Sequence, residues 1–282
     1  MLITSLHNPR LKAAVKLRDR AGRDEQRRII IDGLREIGRA LKGGVKLSEV
    51  YFLPERCADG EQQQLLHDAR QIGAELYDVS RAVMERLSFG QRLEGIVAVA
   101  ERPRRTLDDL RLVGDGLVAV VEGAEKPGNV GAILRTADAA GLSAVIVADG
   151  GTDLFNPNAI RASLGAIFTL SVCESTSQAA LDWLRKGRVR MFAARVDGAV
   201  DYTTADLRGP AAIVLGSEAH GLSDVWQAAD ITAIRLPLLG TVDSLNVSAT
   251  AAVLFYEVLR QRRASVQSSE FNVQSGAHNL EP

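Results

Sequence analysis

Three polar corners carry the residues of this chain best suited to chemistry. The first is E-K-P-G-N-V-G-A-I-L-R-T-A-D-A-A-G, Glu125–Gly141. Pro127-Gly128 forces a turn there, and the Asn129 side chain is placed to cap the helix that follows. Arg135 comes six residues later, nearly two helical turns along. Its neighbours Val130, Ala132, Ile133, Leu134 and Ala137 are small and apolar. A guanidinium cannot shed its proton to ease burial, so Arg135 needs a partner. That partner is either an internal carboxylate such as Asp138 or Glu122, or the phosphate or carboxylate of a ligand.

The second corner is I-V-L-G-S-E-A-H-G-L-S, Ile213–Ser223, where an apolar strand runs through Leu215 into Gly216-Ser217-Glu218. Gly216 would let a ligand lie flat against the main chain. Glu218 would accept hydrogen bonds from that ligand or cap a short helix near Leu222. His220 has no carboxylate at a recognisable spacing and reads as an exposed turn histidine. In the third corner, Leu236–Arg260, residues Leu236, Leu238 and Leu239 can wall an apolar slot. Ser244 and Asn246 flank Leu245 at the start of the last helix; capping accounts for one of them and leaves the other to face a ligand. Polar groups gathered where strands end are what a ligand site at the carboxyl edge of an α/β sheet looks like.

The elements that hold these corners alternate. Apolar runs predict strands at Leu117–Val121, Ala144–Val147, Phe168–Val172, Met191–Ala194, Ala211–Leu215 and Ile231–Leu236. Helical spacing fits Val130–Ala140, Ser177–Lys186 and Val247–Arg262, an α/β pattern that calls for a mostly parallel sheet covered on both faces. Residues 1–100 read as a smaller α/β/α unit, with helices over Pro9–Arg20, Leu34–Leu41 and Gln62–Ile72 and strands over Arg28–Asp32, Val50–Leu53 and Ile96–Ala100. Residues 101–115, charged and broken by Pro103, read as a linker, 116–263 as the second domain, and 264–282 as a disordered tail.

Composition excludes several classes. At 46% hydrophobic and 24% charged residues the chain is an ordinary globular protein. No apolar run approaches the ~20 residues that span a bilayer. The N-terminus lacks the layout of a secretion signal, so a cytoplasmic location is expected. Cys57 and Cys173 match no zinc spacing, so no metal is expected. There is no P-loop and no G-x-S-x-G elbow, and the G-x-G at Gly114–Gly116 precedes a strand instead of following one. Net charge is −1, yet the first 40 residues hold ten Lys/Arg against five acids. Such a segment either binds phosphates or is a solvated helix face.

With its corners in this order the chain resembles the SpoU (TrmH-like) family of RNA ribose 2′-O-methyltransferases, of the SPOUT class. The matching blocks are N-V-G-A-I-L-R-T-A-D-A-A-G, N-P-N-A-I-R-A-S-L-G-A-I-F (Asn156–Phe168), I-V-L-G-S-E-A-H-G-L-S and L-P-L-L-G-T-V-D-S-L-N-V-S-A-T-A-A-V-L-F-Y-E, between Leu117 and Arg262. Ala219 stands where the family often has Gly. Through I-T-S-L-H-N-P-R-L-K and I-I-I-D-G-L-R-E the first hundred residues are similar to the L30e-like RNA-binding domain of many family members.

The resemblance implies an α/β domain closed by a deep trefoil knot, a homodimer, and S-adenosyl-L-methionine as methyl donor. It implies 2′-O-methylation of ribose in RNA, ribosomal RNA of the large subunit before tRNA. A catalytically inactive rRNA-binding assembly factor and a base methyltransferase are the competing readings. Arg135 matches the catalytic arginine, with Asn129, Ser244 and Asn246 completing the catalytic set. Leu215, Gly216, Glu218, Leu236, Leu238 and Leu245 would hold the cofactor. Arg161 and Ser163 would assist on the RNA side, and Arg10, Lys12, Arg18, Arg20 and Arg28 would bind RNA from the first domain.

Overall fold

The computed structural model describes residues 2–89 and 93–277. The chain opens with β1 (Leu2–Ile3), α1 (Pro9–Lys16), α2 (Arg20–Gln26), β2 (Arg28–Asp32), α3 (Leu34–Lys42), β3 (Leu47–Phe52), α4 (Gly60–Gln71), β4 (Glu75–Val79), α5 (Arg81–Leu87) and β5 (Ile96–Glu101). These strands form a mixed sheet of order β1-β4-β3-β5-β2. β1, β4 and β3 run parallel, whereas β5 is antiparallel to both β3 and β2. The helix read over Pro9–Arg20 is broken: α1 ends at Lys16 and a new helix starts at Arg20. Asn8 caps α1 by accepting from the Arg10 N–H at 2.9 Å, with Pro9 in the first turn.

β6 (Leu117–Glu122), α6 (Pro127–Ala140), β7 (Ala144–Ala148), α7 (Pro157–Ala162), α8 (Ala166–Thr169), β8 (Val172–Ser175), α9 (Ser177–Lys186), β9 (Arg190–Ala194), β10 (Val200–Asp201), β11 (Ala211–Leu215), β12 (Ile231–Arg235) and α10 (Val247–Ala277) follow. Their strands make a seven-stranded sheet, β10-β12-β9-β11-β6-β7-β8, parallel throughout. β6, β7 and β11 are buried along their whole length, the reason they read as unbroken apolar runs. Val118, Val120, Ile146, Leu181, Val214 and Trp226 pack into one core, which also takes Leu110 from the segment read as a linker.

Two compact units result, and they do not follow the order of the chain. One contains Met1–Arg105, Lys126–Arg135 and Gly151–Ser171; the other contains Thr106–Glu125, Thr136–Gly150 and Val172–Pro282. In the first unit α8 lies against α3, where Gly43 has no room for a Cβ beside the Phe168 carbonyl and Arg39 donates to the Leu164 carbonyl at 3.1 Å. α6 and α7 approach as closely. A Cβ on Gly131 would sit 2.5 Å from the Ala159 carbonyl oxygen.

Two further boundaries differ markedly from the sequence reading. No strand covers Phe168–Val172: Leu170 N–H bonds back to the Ala166 carbonyl, so the chain stays helical to Thr169 and pairs with β7 only from Val172. The last helix does not stop at Arg262 but runs to Ala277, through a polar stretch that holds no Pro or Gly before Gly276. Residues 278–282 lie outside the described residues.

Candidate active site

The second unit contains a cavity of about 500 Å³ at the carboxyl ends of β9 and β11 and in the loop after β12. Its lining includes Leu215, Gly216, Glu218, Leu236, Leu238, Ser244 and Leu245. The volume lies within the ~300–1,000 Å³ of ordinary small-molecule sites.

Gly216 is required by the chain itself. A Cβ there would fall 2.3 Å from the Gly221 carbonyl carbon and 2.6 Å from Leu222 N. The close approach comes from a small antiparallel bridge, Ser217 and Gly221 exchanging N–H···O=C bonds of 3.0 Å each. Gly221 takes φ +67, and the His220 N–H donates to Ser217 Oγ at 3.0 Å, closing the turn. His220 is exposed at the rim.

The polar pair at the start of α10 divides its work. Asn246 Oδ1 accepts from the Ser248 N–H at 2.9 Å and from Ser248 Oγ at 2.6 Å, which caps the helix. Its Nδ2 donates to Glu218 Oε1 at 2.9 Å, so α10 is tied to the Gly216–Leu222 loop. Ser244 is exposed and faces the cavity. Leu239, expected to wall the slot beside Leu236 and Leu238, is instead 98% exposed and does not line it.

Sequence reasoning missed one wall, the β9 end. Arg195 and Asp197 line the cavity and grip each other in a bidentate pair, at 2.8 and 2.9 Å. The Arg195 guanidinium holds the Asp197 carboxyl below its usual range. A-A-R-V-D-G is a fourth polar corner after an apolar strand, so the rule that pointed to the other three applies to it equally.

Arg135 lies on the exposed side of α6, and among the described residues its guanidinium has no hydrogen bond or ion pair. Glu122, offered as its internal partner, is taken by other donors, and Asp138 is exposed. Asn129 is not the cap of this helix: α6 starts at Pro127, and the Asn129 N–H already bonds to the Lys126 carbonyl at 3.0 Å. Proline's fixed φ suits the first helical position, which moves the start forward.

Most of the basic residues of the first unit are engaged within it. Arg10 pairs with Glu75 at 3.2 Å and lies over the Tyr77 ring. Arg18 donates to the carbonyls of Arg86 and Leu87 at 2.7 Å each, capping the end of α5. Arg28 pairs with Glu49 at 3.1 Å, Arg20 with Asp24 at 3.7 Å and Arg161 with Asp32 at 3.5 Å. Ser163 is wholly buried, its hydroxyl donating to the Ile160 carbonyl at 2.8 Å. Arg23, one of the ten cations of this segment, forms a buried pair with Asp153. Lys12 is exposed and unpaired among the described residues, as are Lys16 and Arg27.

Comparison with known proteins bears on most of the chain. Residues 116–256 match the SpoU rRNA Methylase family, and residues 8–98 match the MRM3-like substrate binding domain. A 23S rRNA (guanosine-2′-O-)-methyltransferase RlmB of Bordetella pertussis is 32% identical over 222 residues, 77% of this chain and 90% of the relative. The crystal structure of an RNA 2′-O ribose methyltransferase, 42% identical, superposes with a TM-score of 0.80 over 93% of this chain and 99% of that one. An AdoMet-bound rRNA methyltransferase from Sinorhizobium meliloti, 27% identical, gives 0.83 over 92% and 97%.

Proposed function

The chain belongs to the SpoU rRNA methylase family, and from that premise we propose that it methylates the ribose 2′-oxygen of a nucleotide in large-subunit ribosomal RNA, with S-adenosyl-L-methionine as donor. The observation that carries the reading is the cavity lined by Gly216, a position where the approach of Gly221 leaves no room for a side chain. Leu215, Gly216, Leu236, Leu238 and Leu245 wall the adenosine side of the donor, and Glu218 fixes the loop through Asn246.

The donor, once bound, supplies a methyl group on a cationic sulfonium that departs as a neutral thioether. What remains for the protein is to hold the attacking oxygen in line at about 3–3.5 Å and to stabilise the alkoxide that develops on it. A guanidinium keeps its proton, so Arg135 serves as a clamp on the neighbouring phosphate and the growing negative charge, not as a base, and the 2′-hydroxyl proton passes to that phosphate or to water. Its exposure and lack of an internal partner among the described residues support that role. Ser244, at the cavity, and Asn129 are assigned to orienting the ribose. Of the basic residues in the first unit, Lys12 is the one of the predicted set with its charge uncommitted, and we assign it to RNA phosphate.

The same reading makes the protein a cytoplasmic homodimer with a knotted carboxyl half. Exposed Val253 and Tyr256 on α10, with Val242 just before it, support the dimer, which light scattering tests. Among the described residues no helix is long and apolar enough to cross a membrane.

The reaction is tested with methyl-labelled S-adenosylmethionine and separate pools of unmodified large-subunit rRNA, small-subunit rRNA and tRNA. Label in an alkali-resistant dinucleotide from the large-subunit pool is expected, because a 2′-O-methyl group blocks cleavage of the adjoining bond. Label in mononucleotides would mean base methylation and overturn the proposal. Label only in tRNA would overturn the substrate, and bound donor without transfer to any RNA would favour an assembly factor.

A further inference from the structure

Glu122, the last residue of β6, is a buried carboxylate, and no Lys or Arg pairs with it among the described residues. Neutral donors compensate it instead. Oε1 accepts from Ser177 Oγ at the head of α9, from Ser223 Oγ at 2.7 Å and from Trp226 Nε1 at 3.0 Å. Oε2 accepts from the Ser223 N–H at 2.7 Å. An uncompensated buried charge is costly, so four convergent donors mark a site built to hold the carboxylate in one place.

Three of the four donors belong to the segment just beyond the cavity loop. Ser217, Glu218, Gly221 and Leu222 line the cavity, Ser223 is the next residue, and Trp226 belongs to the short turn that follows. Gly123, next to Glu122, takes φ +63, and a Cβ there would lie 3.1 Å from Ser217 Cβ, so β6 meets the loop at its other end too. We propose that Glu122 is a positioning residue for the donor site: through Ser223 and Trp226 it sets the height of the Gly216–Leu222 loop and thereby the affinity for S-adenosylmethionine. The proposal rests on the cofactor assignment made above.

Glu122→Gln keeps the shape and removes the symmetry of the acceptor. One orientation turns the new NH2 toward the Ser223 N–H, and the other turns it toward the Trp226 Nε1–H. Either way a buried donor faces a donor. The expected result is a rise of about tenfold in the donor's Kd and KM, while kcat at saturating donor changes less than about twofold. Ser223→Ala removes one arm on the loop side and should weaken donor binding by about threefold. Ser177→Ala removes the α9 arm; it should lower the melting temperature and leave the donor's Kd within about twofold.

A folded Glu122→Gln protein with unchanged Kd would overturn the proposal. So would a Ser177→Ala protein that loses donor affinity as much as Ser223→Ala does, since that pattern means general scaffolding. If Glu122→Gln does not fold, the contrast between the two serine variants decides. A wild-type chain that fails to bind S-adenosylmethionine would instead overturn the cofactor assignment itself.

Discussion

Gly216→Ala offers a direct test of the cavity because its effect can be worked from distances. The added Cβ would lie 2.3 Å from the Gly221 carbonyl carbon and 2.5 Å from its oxygen. That is about 1 Å short of an ordinary carbon contact, and both neighbours are backbone, so neither can swing aside as a side chain would. Relief requires the Ser217–Gly221 bridge to open, at the expense of two hydrogen bonds of 3.0 Å. At about 1 kcal/mol net for each, the strain is about 2 kcal/mol. If it is felt by the bound loop, the donor's Kd rises about thirtyfold, since ~1.4 kcal/mol is tenfold. Gly221→Ala is the control. Nothing lies within 4 Å of its would-be Cβ, so only the left-handed backbone, φ +67, is penalised, by about 1 kcal/mol. Calorimetric titration of both variants with S-adenosylmethionine should rank them Gly216→Ala worse than Gly221→Ala. A Gly216→Ala protein that binds within about twofold of wild type, or the reverse ranking, would refute the reasoning.

Arg135→Ala should abolish methyl transfer and leave donor binding near normal, as read by labelled-methyl incorporation beside calorimetry; near-normal turnover would remove Arg135 from the mechanism. Lys12→Ala should weaken RNA binding and reduce the salt slope by about one with no change in melting temperature. Arg18→Ala should do the opposite and destabilise the fold by about 1–3 kcal/mol, because it strips a donor from the carbonyls that end α5. The two thiols should resist alkylation in the native protein at about pH 8 and react only after unfolding, since burial pushes Cys57 up to about 11 and Cys173 up to about 12. Both shifts are upward from 9.0, so the folded state favours the protonated thiol. Their contribution is whole below about pH 9 and is lost as pH rises through the folded values, which denaturant midpoints between pH 8 and 11 should register.

Much of the fold was legible because its signals are local. β2 over Arg28–Asp32 and α9 over Ser177–Lys186 have the predicted limits, the first a β-branched run and the second an amphipathic stretch capped by the Thr176 hydroxyl. β4 was missed because E-L-Y-D-V carries two acids, one of which, Glu75, takes the Tyr77 hydroxyl on the sheet. α8 was misread because its helicity is imposed by Gly165 at φ +82 and by packing on α3, neither of which shows as an apolar run. The grouping of 151–171 with the first unit depends on contacts such as Arg39 with Leu164, which are 125 residues apart.

The same distinction runs through the site. Gly216, Ser244 and Asn246 stood out because a glycine at a strand end and polar residues at a helix start are readable within a few positions, even though the reason for Gly216 proved to be Gly221. Charge in the first 40 residues was countable but its use was not. Whether an arginine is free for phosphate depends on partners such as Glu49, the α5 carbonyls and Asp153, all distant in sequence. Glu122 is the extreme case: its donors lie 55 to 104 residues away, and the sequence offered it only as a partner for Arg135. A residue that meets a ligand tends to sit on an exposed corner with a local signature, whereas one that sets the corner's position is buried and defined by its partners. The first kind is therefore found by reading along the chain, and the second only by reading across the fold.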